Sequence, residues 1–405
     1  MFITTALVVG AFIGSTLTSH PGSSWKQEYN DRSTWDLEKF TSLVTFGDSY
    51  TDDSRLLYIG QNNGSRPPVG FPNPPNYNSA SGGLPWPQYV AQHSNIHLYN
   101  YAVAGAVCSN GITPRELDFM PGVLFPGVEQ YEIPAFIADS QYVKPDGTKF
   151  MTNPPNETVY SIWIGTNDLG NKGFLTDQQI RGTNIVNYTD CVYDALKRVY
   201  DQGGRYFVLQ NIAPLNLAPL YALPEDGGVA GRDKYWNADL PLENQTAMSY
   251  RMLEQVVTVN AIFEYQTPFV KNITREFEGA RFAVFDMHAL VSFSSLLSFY
   301  CFCFQIPEHL SADGLIHLSI TFGGNFSLIS DMYYNPALYL NGTAPLNVRG
   351  FDNQCNSTGG DCVRSKNPDS FLWFDALHPS EQADRVFARE FLEVVNGSSK
   401  WARYW

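Results

Sequence analysis

The sequence predicts an α/β fold built on a parallel, doubly wound sheet. Five short apolar runs, rich in β-branched and aromatic residues, have the composition of β-strands. Helical segments separate them, and strands that alternate with helices form parallel sheets. The run at residues 159–164 is apolar almost throughout, as expected for a strand covered on both faces. The predicted strands are residues 43–46, 97–103, 159–164, 205–210 and 281–286.

The predicted helices lie between and after these strands. The helix at residues 180–202 carries apolar side chains near one face and ends at Gly203 and Gly204. Pro134 interrupts the helical spacing of residues 128–140. Pro379 precedes the last helix, where the missing N–H of proline costs little. The predicted helices are residues 86–93, 128–140, 180–202, 247–277 and 380–395.

The composition predicts one large domain at residues 20–405. Of the 405 residues, 44% are hydrophobic, and no Ser/Thr/Pro-rich linker divides the chain. Residues 290–370 break the alternation of strands and helices. They are aromatic and Gly-rich and hold four of the six cysteines. We expect a long irregular insertion there.

Residues 1–19 predict a cleaved signal peptide, because an apolar run at 2–14 is too short to span a bilayer and small residues follow it. Nine Asn-x-Ser/Thr acceptors favour a glycosylated, extracellular protein. The acceptors are Asn63, Asn156, Asn187, Asn244, Asn272, Asn325, Asn341, Asn356 and Asn396.

Six cysteines in an exported chain predict disulfides, and six allow 15 pairings. Cys355 and Cys362 bracket a Gly-rich turn and are the candidate pair. The spacing of Cys301 and Cys303 fits no common zinc pattern, so we expect no metal site. The net charge of −14 disfavours nucleic acid and anionic membrane surfaces as partners, and no stable membrane association is expected. An uncharged substrate suits this charge better.

Ser49 follows the first predicted strand in the turn Gly47-Asp48-Ser49, at the sheet edge where open α/β sheets bind ligands. Ester hydrolysis by a serine requires a base, a group that orients the base, and donors for the oxyanion. His378 can supply the base and Asp375, three residues earlier, can orient it. The oxyanion donors are predicted to be the backbone N–H groups of Ser49 and Gly105 and the side-chain amide of Asn167.

Other polar residues allow competing interpretations. Asp286 and His288 follow the fifth strand and form a rival acid and base pair, although a capped turn explains them better. His309 and His317 lie in the insertion and are predicted to be structural or surface residues. The sequence lacks the Gly-x-Ser-x-Gly elbow of common lipases. We expect three further carboxylates near the serine turn to hold loop backbone instead of a metal: Asp52, Asp53 and Asp168.

Four blocks occur in order along the chain and resemble those of the GDSL, or SGNH, hydrolases. They are Gly47-Asp48-Ser49, Asn-Tyr-Ala-Val-Ala-Gly at 100–105, Gly-Thr-Asn-Asp at 165–168 and Asp-Ala-Leu-His-Pro at 375–379. The resemblance implies a flavodoxin-like three-layer α/β/α sandwich with a five-stranded parallel sheet, and it implies the roles given above to Ser49, Gly105, Asn167, Asp375 and His378. Tyr50 replaces the leucine that gives GDSL its last letter, at a position that is not catalytic.

The start Phe-Gly-Asp-Ser-Tyr-Thr at 46–51 is similar to that of secreted fungal acetylesterases of carbohydrate esterase family 16. This looser resemblance implies deacetylation of hemicellulose oligosaccharides through an acyl-enzyme on Ser49, without a cofactor. A long loop at 62–87 follows the serine, and Tyr77 and Trp86 in it are candidate substrate-rim residues that could stack on a sugar. A short-chain lipid esterase of the GDSL type and a non-catalytic glycan-binding protein are the alternatives.

Overall fold

A computed structural model of the protein describes residues 31–229, 233–236, 244–292, 347–356 and 359–405. The predicted signal peptide and most of the predicted insertion lie outside these residues. So do four of the residues singled out above within the insertion and two of the acceptors: Cys301, Cys303, His309, His317, Asn325 and Asn341.

The central sheet has six strands. Five are parallel and lie side by side in the order β2 (His97–Asn100), β1 (Ser42–Gly47), β5 (Thr158–Trp163), β6 (Tyr206–Gln210) and β7 (Arg281–Phe285). This order is the flavodoxin-like one. The shorter strands outside the sheet are β3 (Glu116–Leu117), β4 (Met120–Leu124), β8 (Asn347–Phe351), β9 (Asn353–Gln354), β10 (Val363–Arg364) and β11 (Phe371–Trp373). The prediction of an α/β fold with five parallel strands is confirmed.

The sequence predicts five strands, and the described sheet has a sixth. The sixth strand, β12 (Ala402–Tyr404), pairs antiparallel with β7 at the edge of the sheet. It has only three residues, and an exposed arginine stands at its centre. A run this short has no recognisable strand period, and only its pairing with β7 makes it a strand.

The α-helices with both ends described are α1 (Arg55–Gln61), α2 (Trp86–His93), α3 (Ile133–Gln141), α4 (Thr166–Leu169), α5 (Ile185–Asp201), α6 (Gln245–Pro268) and α7 (Glu381–Val395). The connection from β1 to β2 runs in one direction along the sheet, and those from β2 through β5 and β6 to β7 run in the other. Right-handed crossovers therefore place α2 on one face and α3, α5 and α6 on the opposite face. Helix α7 packs against α2, and α5 packs against α3 and α6. None of the described helices has the length and apolar character needed to span a membrane.

The bounds of α3, α5 and α6 differ from the prediction for local reasons. Residues Val128–Glu132 form a π-helical turn, so α3 begins only at Ile133. Helix α5 begins at Ile185 because the Asn184 side chain accepts from the N–H groups of Val186 and Asn187 and so caps the helix. The long helix α6 ends at Pro268 and continues only as a π-helical turn.

The end of β1 is where the chain reverses its winding direction, with β2 on one side and β5 on the other. Ligands of open α/β sheets bind at such points. Gly47 closes the strand with a φ of 151°, and a Cβ there would lie 2.2 Å from the carbonyl oxygen of Trp163. Glycine is therefore required for the tight turn that carries Ser49 away from the sheet.

Candidate active site

Ser49, His378 and Asp375 form a hydrogen-bonded chain at the carboxyl edge of the sheet. The Ser49 Oγ lies 2.8 Å from His378 Nε2, and His378 Nδ1 lies 2.9 Å from Asp375 Oδ1. All three residues are buried. Because Nδ1 faces a carboxylate, the ring carries its proton there, and Nε2 is left free to accept the serine proton.

Asp375 is held in its ionised form by several partners. Burial alone would raise the pKa of Asp375, but the neighbouring His378 and Lys234 and the hydroxyl of Tyr235 hold it well below its usual range. The Tyr235 hydroxyl donates to Oδ2 over 2.7 Å, and Lys234 Nζ lies 3.6 Å from the same oxygen. The carboxylate is therefore charged at any pH at which the protein works. Neither Lys234 nor Tyr235 was found from sequence, because they lie far along the connection from β6 to α6 and match no block.

Three candidate oxyanion donors converge beside Ser49. The backbone N–H groups of Ser49 and Gly105 donate to no partner among the described residues. The Asn167 side chain donates over 2.9 Å to the carbonyl oxygen of Ala106, which fixes its amide and leaves its second N–H hydrogen uncommitted. Ser49, Gly105, Asn167 and His378 all line one cavity of about 480 Å³. Buried N–H groups without partners favour a ligand that accepts hydrogen bonds.

Phe125 forms a wall of this cavity against the glycine. Gly105 has a φ of 87°, and a Cβ on it would lie 2.3 Å from the Phe125 ring. The hairpin of β3 and β4 places the ring there, because the N–H of Phe125 donates to the carbonyl oxygen of Arg115 over 2.8 Å. The Arg115 guanidinium in turn lies over the ring, 5.4 Å from its centroid. The space beside the candidate oxyanion donors is therefore closed by an aromatic ring, which sequence analysis did not identify.

Hydrogen bonds between loops hold the site together. The Tyr50 hydroxyl donates over 2.6 Å to the carbonyl oxygen of Leu377, directly before His378. The Asp52 carboxylate accepts over 2.8 Å from the N–H of Ala104, directly before Gly105. Tyr50 occupies the position that departs from the GDSL pattern, and it ties the serine turn to the histidine loop.

The prediction that Trp86 lies at the substrate rim is wrong. Trp86 is only 1% exposed, packs 4.7 Å from the Phe391 ring and donates from its indole N–H to Thr51 Oγ1. Its burial joins α2 to α7, so its face is not available to a sugar. Tyr77 is 68% exposed, and its neighbours Asn76 and Asn78 line the cavity.

The competing acidic residues have structural partners. Asp286 Oδ1 accepts from the N–H of Ala289 and so makes a capped turn, as expected. Asp53 accepts from the N–H of Asn76, and Asp168 accepts from the N–H of Cys108 and the hydroxyl of Thr113. These carboxylates, like Asp52, hold loop backbone as predicted. No group of side chains in the described residues could hold a metal ion.

Two disulfides lie within the described residues. Cys355 and Cys362, the candidate pair, are joined. Cys108 and Cys191 form the second bridge, which the sequence left open among the possible pairings. The second bridge ties the segment just after Gly105 to helix α5.

The model of the GDSL-like lipase/acylhydrolase family matches residues 43–391, which is most of the chain and includes all four blocks. The chain belongs to this family. The predicted membership is confirmed, and with it the predicted carboxylic ester hydrolase activity. The α/β sheet described above is the fold that the family predicts.

Curated relatives agree with this membership. The chain is 37% identical over 370 residues to an acetylesterase of Hypocrea jecorina, a match that covers 91% of this chain and 92% of that protein. It is 30% identical over 184 residues to an acetylesterase of Thermothelomyces thermophilus, which covers 45% of this chain and 56% of the relative. A thermolabile hemolysin of Vibrio parahaemolyticus is 21% identical over 369 residues, or 90% of this chain and 66% of that protein. The family and the first relative together show that this chain is a serine esterase.

Proposed function

We propose that the protein is an extracellular acetylesterase that removes acetyl groups from carbohydrates, with Ser49 as its nucleophile. The observation that carries the assignment of Ser49 is its hydrogen bond to His378 Nε2, beside the unpartnered N–H of Gly105. His378 is the general base and acid, and Asp375 orients it. Ser49, Gly105 and Asn167 supply the oxyanion donors.

The reaction proceeds in two steps. In the first, Ser49 Oγ attacks the acetyl carbonyl carbon while His378 Nε2 takes its proton, and the three donors stabilise the oxyanion. The intermediate collapses, and the leaving sugar hydroxyl takes the proton from Nε2. In the second, water attacks the acetyl-enzyme and gives its proton to Nε2. Collapse releases acetate and returns the proton to Ser49.

Phe125 supports a short acyl group. Its ring closes the space next to Gly105, where the methyl group of an acetyl ester would lie once the carbonyl oxygen faces the donors. Each added methylene would have to displace part of a ring that is only 4% exposed. Displacing such a side chain costs free energy because protein interiors are close-packed.

A polar rim and the relatives support a carbohydrate alcohol. Asn76, Asn78 and Ser79 line the outer cavity and offer hydrogen-bonding groups for hydroxyls. The relatives from Hypocrea jecorina and Thermothelomyces thermophilus carry the name acetylesterase. An acetylated oligosaccharide combines the short acyl group with a hydroxyl-rich alcohol.

Three features support export. Both described disulfides favour an oxidising compartment. All seven glycosylation acceptors within the described residues are exposed, as an attached glycan requires. The apolar leader supplies the third feature.

Two substitutions test the assignment. Ser49→Ala and His378→Ala should each abolish hydrolysis of an aryl acetate, while the circular dichroism spectrum and the yield of secreted protein stay unchanged. Ser94→Ala and His93→Ala on the end of α2 are the matched controls and should keep full activity. Full activity in either active-site variant would reject the assignment, and so would the failure of an organophosphonate to label Ser49.

A screen of acyl length on one alcohol tests the substrate class. We expect acetate esters to be hydrolysed faster than butyrate or octanoate esters, and acetylated xylo-oligosaccharides to release acetate. A preference for butyrate or octanoate over acetate would favour the lipid esterase of the GDSL type instead. Absence of turnover on every ester would favour the glycan-binding protein.

A further inference from the structure

A second cavity of about 500 Å³ adjoins the catalytic one. The two cavities share part of their walls, including Arg115, Asn167 and Tyr235. A substrate whose acetyl group lies at Ser49 can therefore extend into this second cavity, which we call the basic cavity.

The basic cavity carries a charge opposite to that of the whole chain. Arg115, Lys172 and Lys234 line it, and Asp118 is the acidic residue among its described lining residues. The chain as a whole has a net charge of −14. A local excess of cations in an acidic protein attracts an anionic group of a ligand.

Two of the three cations leave positive charge available. Lys172 Nζ lies 3.3 Å from Asp118, and both side chains are substantially exposed, so water weakens this ion pair. Arg115 forms no ion pair with any carboxylate in the described part of the chain. The charge of Lys234 is balanced, because Lys234 lies 3.6 Å from Asp375 and also interacts with Asp233.

Residues that line the basic cavity also carry polar atoms without partners. Asn171 is 6% exposed, and its Oδ1 atom has no hydrogen-bond partner in the described part of the chain, although its Nδ2 atom donates to the carbonyl oxygen of Tyr235. The indole N–H of Trp236, which is 7% exposed, and Arg115 Nε also lack partners among the described residues. Polar atoms left without partners beside a cavity favour a ligand that supplies hydrogen-bonding groups.

We infer that the basic cavity binds a uronic acid residue of the substrate, next to the acetylated sugar. A uronate has a carboxylate for Arg115 and Lys172, and its hydroxyls can bond to other polar groups that line the cavity. Tyr235 stands between the two cavities and offers a ring edge or face to the connecting sugar. This inference rests on the proposed function, and it narrows the substrate class to acidic acetylated oligosaccharides.

Hydrolysis of two matched substrates tests the inference. One is an acetylated xylo-oligosaccharide with a glucuronic acid branch, and the other is the unbranched neutral oligosaccharide of equal backbone length. The native enzyme should show a kcat/KM for the acidic substrate roughly fivefold higher at low ionic strength, and the ratio should approach one at about 0.5 M NaCl because salt screens the attraction. A ratio near one at low salt would overturn the inference.

Variants of one lysine separate charge from packing. Lys172→Gln should lower the ratio between the two substrates at least about threefold, as expected for loss of one partly exposed charge, and Lys172→Arg should restore it. Lys197→Gln is the matched control, because Lys197 forms a comparable exposed pair with Asp201 on α5 and should not change the ratio. A ratio unaffected by Lys172→Gln would also count against the basic cavity.

A binding measurement makes the inference independent of turnover. The Ser49→Ala protein is titrated with the deacetylated acidic oligosaccharide and with its neutral counterpart in a calorimeter. Tighter binding of the acidic sugar supports ligand binding in the basic cavity even if no acetylated sugar is hydrolysed. The missing hydrolysis would then reject only the proposed function. Equal binding with normal hydrolysis of both sugars would reject only the basic cavity.

Discussion

The two oxygens of Asp375 have different tasks. Oδ1 accepts from His378 Nδ1 and from the backbone N–H groups of Leu377 and His378, all within 3.0 Å. Oδ2 accepts from Tyr235 and faces Lys234. Donors on Oδ2 draw negative charge away from the imidazole, so they reduce the stabilisation of the imidazolium ion that the proposed mechanism forms.

Tyr235→Phe should therefore shift the acid limb of the kcat/KM profile to higher pH, by less than about one pH unit. The carboxylate without this hydroxyl holds the protonated imidazole more strongly, and the ring must be neutral to accept the serine proton. Asp48, Asp233 and Lys234 also face the pair and are unchanged by the substitution. The measurement is kcat/KM on an aryl acetate as a function of pH.

A matched control exists for this variant. The Tyr89 hydroxyl donates to Glu381 over the same distance of 2.7 Å, outside the catalytic cavity. Tyr89→Phe should leave the pH profile in place. A Tyr235→Phe profile that moves to lower pH or does not move would show that Tyr235 has only a packing role.

Phe125→Val should widen the acyl space beside Gly105. We expect kcat/KM for a butyrate ester to rise at least about fivefold relative to acetate, since one or two methylenes in an apolar pocket are worth roughly 1–3 kcal/mol. The ratio of the two substrates is the measurement, because lost stability lowers both rates together. Phe119→Val is the control, since Phe119 is 52% exposed on the adjacent hairpin. An unchanged ratio would mean that the ring does not limit acyl length.

Sequence patterns could locate the site residues that follow strands. Ser49, Gly105 and Asn167 each follow a run that pairs in the parallel sheet, and the fold alone brings such positions to one edge. The burial of Trp86 depends on packing of α2 against α7, where its partner Phe391 is far away in sequence. Lys234 and Tyr235 contact the site through a loop, and no periodicity predicts where a loop lies.

At the scale of elements, the two disulfides constrain very different lengths of chain. Cys108 and Cys191 are 83 residues apart and connect the segment after Gly105 to α5, whereas Cys355 and Cys362 are 7 apart beside β9 and β10. In the chain-entropy description, closing the longer loop removes more freedom from the unfolded state. The difference is about 2 kcal/mol.

Replacing both cysteines of each bridge by alanine tests this difference. The Cys108→Ala/Cys191→Ala protein should lose roughly 4 kcal/mol of unfolding free energy, and the Cys355→Ala/Cys362→Ala protein about 2 kcal/mol less than that. Denaturant unfolding of the two double variants and the native protein gives both values. Equal losses would contradict the loop-length account.

The sequence predicts the ends of an element well where its apolar run is long. It predicts them poorly where backbone pairing with a neighbouring strand determines where the element ends. Strand β5 matches its apolar run to within a residue at each end, because all six of its residues are buried. Strand β2 is shorter than predicted, since pairing with β1 ends at Asn100. Its apolar residues continue towards Gly105, and the N–H groups of Tyr101 and Val103 still donate to the carbonyl oxygens of Thr45 and Gly47 on β1, so the sequence pattern outlasts the assigned strand.

The molecule as a whole buries an unusual number of carboxylates around the serine turn. Burial raises the pKa of Asp48 and of Asp52 to about 6 and the pKa of Asp168 to about 7. Burial also raises the pKa of Glu132 well above its usual range, although Glu132 accepts from the N–H of Gly47. These groups hold protons in the folded protein at pH values where the unfolded chain has lost them.

Stability should therefore fall as pH rises from about 4 to about 7, because in this window the folded state binds more protons than the unfolded state. Each such carboxylate contributes up to about 1.4 kcal/mol per pH unit. His97 and His288 act in the opposite direction, since burial lowers the pKa of each and favours the folded state as pH rises towards the ordinary histidine value. Two histidines act in this direction and at least four carboxylates act in the other, so the carboxylates should determine how stability depends on pH.

Thermal unfolding tests this dependence. The midpoint should be higher at pH 5 than at pH 7.5, and Asp168→Asn should make the dependence on pH shallower. Asp190→Asn, on the exposed face of α5, is the control and should leave the dependence unchanged. A midpoint that rises steadily with pH would show that the buried carboxylates are ionised in the folded protein.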